Sequence, residues 1–336
     1  MKGGINMLFT VGVDVGNSRT KSAHTEFISG YTQYEHEQLL ANKCLCYNGK
    51  YYAETLDSPF PYVEDKRENN QCLILTLISI AREIIWRIKD SGRCANQEMM
   101  QEEIKKYDKL NLAVGLPPGH FTQAQDMKEF YLKALEGTTT FKYGKYEFSF
   151  TTNKVAIYAQ GLSAAVVSTD VNKNLAIPRN NAKYYVFDIG GYTFDMIPII
   201  AGEPDSANIH SEPLGVRPIC EKIAGHIQTT MGHTYDEYII ENVIREGQNK
   251  NTVTYVPEDV KKEILNYAQM YANRLVDKAI QCGFTVNYNP VLYVGGGSML
   301  LKPFLQNNKK VGYAEWIESS NANAIAYEEY MKRVAA

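Results

Sequence analysis

Segments with the pattern of buried strands alternate along the chain with segments that have the period of amphipathic helices. Near the N-terminus, the run Phe9–Lys21 (FTVGVDVGNSRTK) carries Asp14 near the end of its apolar part and then a polar turn. Tyr184–Pro198 (YYVFDIGGYTFDMIP) repeats this pattern with Asp188, a glycine turn and a returning apolar segment. Each copy predicts a buried strand, a tight turn and a second strand, with one carboxylate at the rim.

The same pattern analysis predicts further elements on both sides of these two units. Strands are predicted at 22–28, 109–116 and 291–294, and hairpins at 43–54, where Asn48-Gly49 marks the turn, and at 137–151. The segment 73–88 is apolar nearly all round, which predicts a buried helix. Other predicted elements are helices at 123–135, 217–231, 235–245, 257–282, 298–306 and 321–334, a short strand followed by a helix within 154–168, and a polar loop at 249–254.

Composition and charge narrow the class of protein. The 336 residues are enough for about two domains, and 44% hydrophobic residues can bury a sizeable core. A net charge of -3 gives no reason to expect direct binding to nucleic acid, which needs clustered Lys and Arg. No run of 18 apolar residues and no signal-peptide pattern appears, so we expect a cytoplasmic chain without a membrane contact. The six cysteines are scattered, and we expect reduced structural thiols.

The glycine turns have the chemistry of a phosphate site. Backbone N–H groups can approach phosphate oxygens closely where no Cβ intervenes. We therefore expect two phosphate-binding turns, one formed by Gly16, Asn17 and Ser18, the other by Gly190, Gly191, Tyr192 and Thr193. A single Asp-x-Gly motif is more often simple turn chemistry, but the paired occurrence favours the functional interpretation.

Charged and amide side chains near these turns are the candidates for chemistry. A carboxylate at the end of a buried strand is costly without a partner, so we assign Asp14 and Asp188 to Mg²⁺ or its waters, the alternative being that each merely caps its turn. Lys21 would meet the β- or γ-phosphate or else face solvent. Gln160, at the start of the predicted connecting helix, would orient an attacking water or else be a surface glutamine. Asp195 alternates with apolar positions and is expected to face solvent.

A third glycine-rich turn, Val291–Leu301 (VLYVGGGSMLL), completes the set of candidate elements. Gly295, Gly296 and Gly297 would let the backbone lie flat against a purine and its ribose. Glu221 and Lys222, on the predicted helix 217–231, would contact the base or the ribose hydroxyls. The alternative for these two is the solvated face of an amphipathic helix.

The order of these motifs resembles the ATPase superfamily of actin, the Hsp70 chaperones and the sugar kinases. DVGNSRTK at 14–21 is similar to its first phosphate motif, VFDIGGYTFD at 186–195 to its second, and YVGGGSMLL at 293–301 to its adenosine motif. The segments around Gln160 and at 321–327 (NANAIAY) are similar to its two connecting motifs. Within the superfamily, the chain most resembles the bacterial plasmid-segregation actins of the ParM type.

This resemblance implies an α/β fold of the actin-like, duplicated ribonuclease-H-like kind, with a nucleotide cleft between two domains. Domain I would comprise 1–160 and 310–336, with a small accessory subdomain at about 30–70. Domain II would comprise 161–309, with a helical accessory subdomain at about 213–256. Gln160 and Asp188 would be catalytic, and Asp14 with Asp188 would serve the metal. The best-known ParM type carries Glu at the position of Gln160, whereas actin carries Gln.

The resemblance also implies a function. The chain would be an ATP hydrolase, with GTP as an alternative nucleotide, that binds Mg²⁺ with the nucleotide and assembles into homopolymeric filaments. It would segregate plasmid DNA through a ParR-like adaptor bound to a centromere-like site. A small-molecule kinase of the same superfamily is the main alternative, but the sequence offers no clear additional carboxylate base on a strand next to the predicted cleft. A relative of the chaperones or of the cell-division proteins of this superfamily is the third alternative.

Overall fold

Two β-sheets, one in each of two units of the backbone, form the framework of the described chain. The computed structural model describes residues 7–38, 43–63, 65–171, 175–246 and 255–335. By its contacts the first unit comprises Met1–Val167 with Asn323–Ala336, and the second comprises Ser168–Ala322. The predicted loop at 249–254 lies outside the described residues.

The sheet of the first unit contains nine strands. They are β1 (Leu8–Val15), β2 (Arg19–Lys21), β3 (Glu26–Ile28), β4 (Tyr31–Tyr34), β5 (Cys44–Tyr47), β6 (Lys50–Glu54), β7 (Lys109–Leu116), β8 (Thr138–Tyr143) and β9 (Tyr146–Ala159), in the order β3-β2-β1-β7-β9-β8-β5-β6-β4. The neighbouring strands β1, β7 and β9 run parallel to one another. Strand β2 is antiparallel to β1 on one side and to β3 on the other. The carboxyl ends of three strands therefore lie at one edge of the sheet.

The sheet of the second unit repeats this arrangement. Its strands are β10 (Lys183–Ile189), β11 (Phe194–Ile200), β12 (Glu203–Pro204), β13 (His210–Glu212), β14 (Val291–Val294) and β15 (Ala314–Trp316), in the order β12-β11-β10-β14-β15, with β13 also paired to β11. As in the first sheet, an antiparallel hairpin (β10-β11) is followed by two parallel neighbours. The duplicated α/β architecture that the two sequence motifs predict is confirmed.

Ten helices accompany the sheets within the described ranges. They are α1 (Gln71–Asp90), α2 (Gln97–Ile104), α3 (Ala124–Ala134), α4 (Leu162–Val171), α5 (Ile177–Asn180), α6 (Val216–Met231), α7 (Glu237–Glu246), α8 (Glu258–Gln281), α9 (Gly296–Leu305) and α10 (Ala322–Ala335). None of them combines the length and the hydropathy that a bilayer crossing requires. Most side chains of α1 are buried, which confirms the buried helix predicted there.

Helix α10 lies against the central strands of the first sheet. A Cβ on Gly12 of β1 would come within 2.0 Å of the Ala324 carbonyl oxygen, so backbone meets backbone at this point. The ring of Tyr327 is fully buried and occupies the space that a side chain at Gly115 of β7 would need. The domain boundary predicted at 310 differs from the observed unit boundary at 323, because β15 pairs with β14 in the second sheet.

Two local predictions are wrong, and one helix was missed. The strand predicted at 22–28 is interrupted, because the Ser22 hydroxyl bonds the Thr25 hydroxyl at 2.7 Å and the Glu83 carboxylate at 2.6 Å, which bends the chain between β2 and β3. The second strand of the hairpin predicted at 137–151 continues without a break to Ala159, with its register to β7 shifted at Leu110 and Asn111. Helix α2 was not predicted.

The approach of α10 to Gly12 yields a stability test. Gly12→Ala should lower the free energy of unfolding by roughly 3 kcal/mol, because the added methyl overlaps backbone atoms that cannot move independently. The control is Gly225→Ala within α6, where an added Cβ has no atom within 4 Å and should stabilise the helix by about 0.5–1 kcal/mol. Chemical denaturation of both variants measures the difference, and equal stabilities would contradict the close packing.

Candidate functional site

The first predicted hairpin places Asp14 at the end of a central strand. Asp14 is 7% exposed and is directly opposite Lys21 on β2. Residues opposite each other on neighbouring antiparallel strands present their side chains on the same face of the sheet. The structure therefore brings the predicted carboxylate and the predicted lysine to one face, as a phosphate and metal site would require.

Gln160 joins this group from another strand. Its side-chain amide nitrogen Nε2 donates to Asp14 Oδ1 at 2.6 Å, and its backbone N–H donates to the Leu116 carbonyl at 2.9 Å. The contact arises because β1, β7 and β9 are parallel neighbours whose carboxyl ends coincide. Gln160 lies in the turn after β9 and not at the start of the helix, where the sequence pattern had placed it. Its amide oxygen and second amide hydrogen can still bind a water.

The turn after Asp14 contains a buried polar atom that needs a partner. The Ser18 hydroxyl is buried and, within the described residues, has no hydrogen-bond partner. Gly16 is required by the turn itself, since a Cβ there would lie 2.6 Å from the Arg19 carbonyl, and its own carbonyl accepts from the Ser29 hydroxyl at 2.7 Å. Buried hydroxyls are normally paired, so the orphaned Ser18 oxygen fits a ligand at this turn. Asn17 lines the small cavity beside the turn.

Lys66, which the sequence did not single out, also reaches this turn. Its Nζ donates to the carbonyl of Val15, the residue that follows Asp14. Its side chain is half-buried, and desolvation lowers the pKa of Lys66 to about 8, against the opposing attraction of Asp14. In the sequence, Lys66 lies within a charged run (EDKRENN) that has no signal to distinguish one cation from another.

The second hairpin buries two carboxylates. Asp188 is 4% exposed at the end of β10, and Asp195, directly opposite on β11, is 2% exposed. The expectation that Asp195 faces solvent is therefore wrong: in a sheet that is covered on both faces, alternation does not mark an exposed side. The Thr193 hydroxyl donates to Asp195 Oδ2 at 3.0 Å. Like charges directly opposite each other repel, so this pair favours a cation nearby.

The turn between β10 and β11 is tied to the start of α6. Three backbone N–H groups at the start of α6 donate to carbonyls of the turn. Val216 donates to Gly190 at 3.1 Å, Arg217 to Gly191 at 2.8 Å and Gly215 to Tyr192 at 2.8 Å. In a trans peptide the N–H points opposite to the carbonyl. The N–H groups of Gly191, Tyr192 and Thr193 therefore point away from α6, which is the arrangement of an anion-binding turn.

Gly190 differs from the other glycines of the site. A Cβ on Gly190 would find its nearest neighbour, the Thr193 carbonyl oxygen, at 3.5 Å, which is ordinary contact. The fold itself thus leaves room for a side chain at this position. Open space beside outward-pointing N–H groups is what a phosphate needs.

The third glycine turn packs against the second. Gly295 has φ +89°, and a Cβ there would lie 2.2 Å from Asp188 Oδ1, since β14 and β10 are parallel neighbours. Gly297 is buried against Ile189 in the same way. Helix α9 begins at Gly296, two residues before its predicted start. The packing of the protein already explains Gly295 and Gly297, so a purine contact by these glycines stays a prediction.

Glu221 and Lys222 lie on the exposed face of α6. The Lys222 ammonium is 6.0 Å from the centre of the Tyr271 ring, a contact within the second unit. Their predicted role toward base and ribose therefore stays a prediction.

The predicted metal ligands fit Mg²⁺ held jointly with a nucleotide better than a cage of protein atoms. Within the part of the chain that the structure describes, no group of three or more His, Cys, Asp or Glu residues lies close enough to hold a metal ion. Mg²⁺ usually keeps several waters and is bound through one or two carboxylates plus phosphate oxygens. The first unit offers the buried carboxylate of Asp14, and the second offers that of Asp188 with Asp195 directly opposite it, so each unit has no more than one or two carboxylates at its glycine turn.

Comparison with known proteins identifies proteins that share this fold. Residues 183–329 match the family model of the Alp7A C-terminal domain. No curated protein sequence matches the chain.

Solved structures with this fold include three that cover almost the whole chain. The actin-like protein Alp7A superposes with a TM-score of 0.72 at 15% identity, covering 98% of each chain. The archaeal actin homolog Ta0583 in complex with ADP gives 0.71 at 18% identity, covering 97% of this chain and 99% of its own. A ParM from a 15-stranded filament of Clostridium botulinum gives 0.69 at 16% identity, covering 97% and 99%.

At these identities the structural likeness establishes the fold, and the family match concerns the second unit and the start of α10. The chain therefore has the actin-like fold of the ParM and Alp proteins, and its residues 183–329 are similar to the C-terminal domain of Alp7A.

Proposed function

We propose that the chain is a nucleotide-dependent, filament-forming ATPase that segregates plasmid DNA. The observation that carries the proposal is the duplicated hairpin: in each unit a buried aspartate ends a central strand and a glycine turn follows it. One structural neighbour forms filaments and another was solved in complex with ADP, which supports self-assembly and adenine-nucleotide binding. The kinase alternative is not favoured, because these neighbours are actin homologues.

In the proposed reaction each residue group has a distinct task. The N–H groups of Gly191, Tyr192 and Thr193 would bind phosphate oxygens, and so would Ser18 and Lys21 at the first turn. Asp14 and Asp188 would hold Mg²⁺ or its waters, and Mg²⁺ would supply positive charge that neutralises the phosphates.

Gln160 has the remaining task of orienting the attacking water. Its Nε2 is already bonded to Asp14, which fixes the plane of the amide and leaves its oxygen to accept a hydrogen bond from the water. An amide is too weak a base to take the proton itself, so the reaction would be slow and suited to timing an assembly rather than to rapid turnover.

The chain would contact DNA indirectly, through other molecules. A chain with net charge -3 is a poor polyelectrolyte binder, which supports contact through a ParR-like adaptor on centromere-like DNA. Nucleotide binding would favour the form that joins a filament, and hydrolysis would shift the population toward the form that leaves it. This role would place the chain in the cytoplasm.

Assembly is the first test. Light scattering of the purified chain should rise on addition of Mg-ATP and fall again as the nucleotide is consumed, with filaments visible by electron microscopy. Parallel samples with GTP, without nucleotide and with a chelator of Mg²⁺ serve as controls. A chain that stays monomeric at high concentration with every nucleotide would defeat the proposal.

The role of Gln160 predicts a separation of hydrolysis from binding. Gln160→Ala should slow hydrolysis on the order of 100-fold while nucleotide affinity changes little, because the amide acts on the water. Phosphate release and nucleotide affinity are measured on the same preparations, with Gln306→Ala, at an exposed position after α9, as the control. Unchanged hydrolysis in Gln160→Ala would remove this residue from the mechanism.

The two kinds of glycine in the second unit predict different defects. Gly190→Ala should leave the free energy of unfolding within about 0.5 kcal/mol of the wild type but weaken nucleotide binding about tenfold, because the methyl occupies the space for phosphate. Gly295→Ala should lower stability by roughly 2 kcal/mol or more, since its Cβ overlaps Asp188 at a strained φ. If Gly190→Ala binds nucleotide as the wild type does, the turn is not a phosphate site.

A further inference from the structure

Lys66 lies beside the first phosphate turn although it is 45 or more residues from it in sequence. The Lys66 carbonyl accepts from the Cys72 N–H at 3.1 Å, which fixes the segment before α1. Its side chain lines a small cavity of about 20 Å³ together with Gly16 and Asn17 of the turn. The ammonium thus faces the backbone that the sequence assigns to phosphate.

The ammonium of Lys66 has too few partners for its environment. Among the described residues it makes one hydrogen bond, to the Val15 carbonyl, and no ion pair, although an ammonium has three hydrogens to donate. Its neighbours Asp65 and Arg67 neutralise each other in a bidentate pair with N–O distances of 2.8 and 2.7 Å. They offer Lys66 no counter-charge.

Among the residues that the structure describes, the other charged or titratable groups around Lys66 form no ion pair with it. On β1, Asp14 attracts the ammonium without forming an ion pair with it. On α1, burial raises the pKa of the Cys72 thiol to about 11, so the thiol is neutral near pH 7. A desolvated cation that is incompletely paired costs free energy unless an anion joins it.

A second unsatisfied group points to the same ligand. The buried Ser18 hydroxyl, two residues after Gly16, also has no hydrogen-bond partner within the described residues. A cation and a hydroxyl that both need a partner at one turn are suited to a single anionic ligand with several oxygens. A phosphate chain has that chemistry.

We propose that Lys66 is a phosphate-binding residue of the nucleotide site, and that its ammonium contacts the phosphate chain of the bound nucleotide at the Gly16–Ser18 turn. This inference rests on the proposed nucleotide-binding function. Lys66 would supply the cation from the segment before α1, in addition to Lys21 on β2. A lysine suits this position because its flexible stem can keep the Val15 carbonyl as a partner until the phosphate arrives.

The test compares affinity for the phosphate chain with stability of the empty protein. Lys66→Met keeps the length of the side chain and removes the charge, Lys66→Arg keeps the charge, and Lys50→Met, at an exposed position, is the control. For each full-length variant the dissociation constants of Mg-ATP and of adenosine are measured, the latter by competition, together with the thermal unfolding midpoint without nucleotide.

The expected result for Lys66→Met is an affinity for ATP about 10- to 100-fold lower, with adenosine affinity unchanged and the unfolding midpoint equal to or above that of the wild type. The midpoint should not fall, because the substitution removes a poorly paired cation. Lys66→Arg should recover part of the ATP affinity, and Lys50→Met should match the wild type.

Two other outcomes would overturn the inference. If Lys66→Met lowers the unfolding midpoint and weakens ATP and adenosine equally, then Lys66 only anchors the Val15 carbonyl. If Lys66→Met binds ATP as tightly as the wild type, Lys66 does not contact the phosphates, although the proposed function stands. A wild type that binds neither Mg-ATP nor adenosine would instead refute the proposed function, and the inference with it.

Discussion

The removal of Asp14 from water is the constraint on which the first half of the site depends. A carboxylate that is 7% exposed has lost most of its hydration and must be compensated by donors or cations. The protein supplies one strong donor, the Gln160 amide at 2.6 Å, and places Lys21 on the adjacent strand. The parallel arrangement of β1, β7 and β9 makes this possible, because it brings residues 146 positions apart to one edge.

The second unit solves the same problem differently. Asp188 has another carboxylate, Asp195, as its cross-strand neighbour, and the backbone of Gly295 lies directly against it. Instead of a side-chain amide, the second unit offers a turn in which the carbonyls of Gly190, Gly191 and Tyr192 accept hydrogen bonds from the start of α6, so that the N–H groups of Gly191, Tyr192 and Thr193 point away from that helix. The two units thus differ: a side-chain amide contacts the buried aspartate of the first, whereas in the second the turn after the aspartate is hydrogen-bonded to the start of α6.

Much of this arrangement could be predicted from the sequence, because the strands and turns have local signals. The hydrophobic runs that end near Asp14 and Asp188 predicted both hairpins, and the apolar composition of α1 predicted a buried helix. Three features depended on long-range packing and left no such signal. Asp195 is buried because a second layer covers its face of the sheet, and Gly297 is glycine because Ile189 occupies its space. Lys66 reaches the first glycine turn only because the chain before α1 folds back beside that turn.

The close contact between α10 and Gly12 has a consequence for how the first unit folds. The backbone around Ala324 and Glu328 covers the central strand β1, and it follows β1 in the chain by more than 300 residues. Contacts of such long sequence separation form late and slow the folding of the domains that need them. The second unit, contiguous from Ser168 to Ala322, has no such delay, so during synthesis the half-site of Asp188 can be complete while that of Asp14 still has an uncovered sheet.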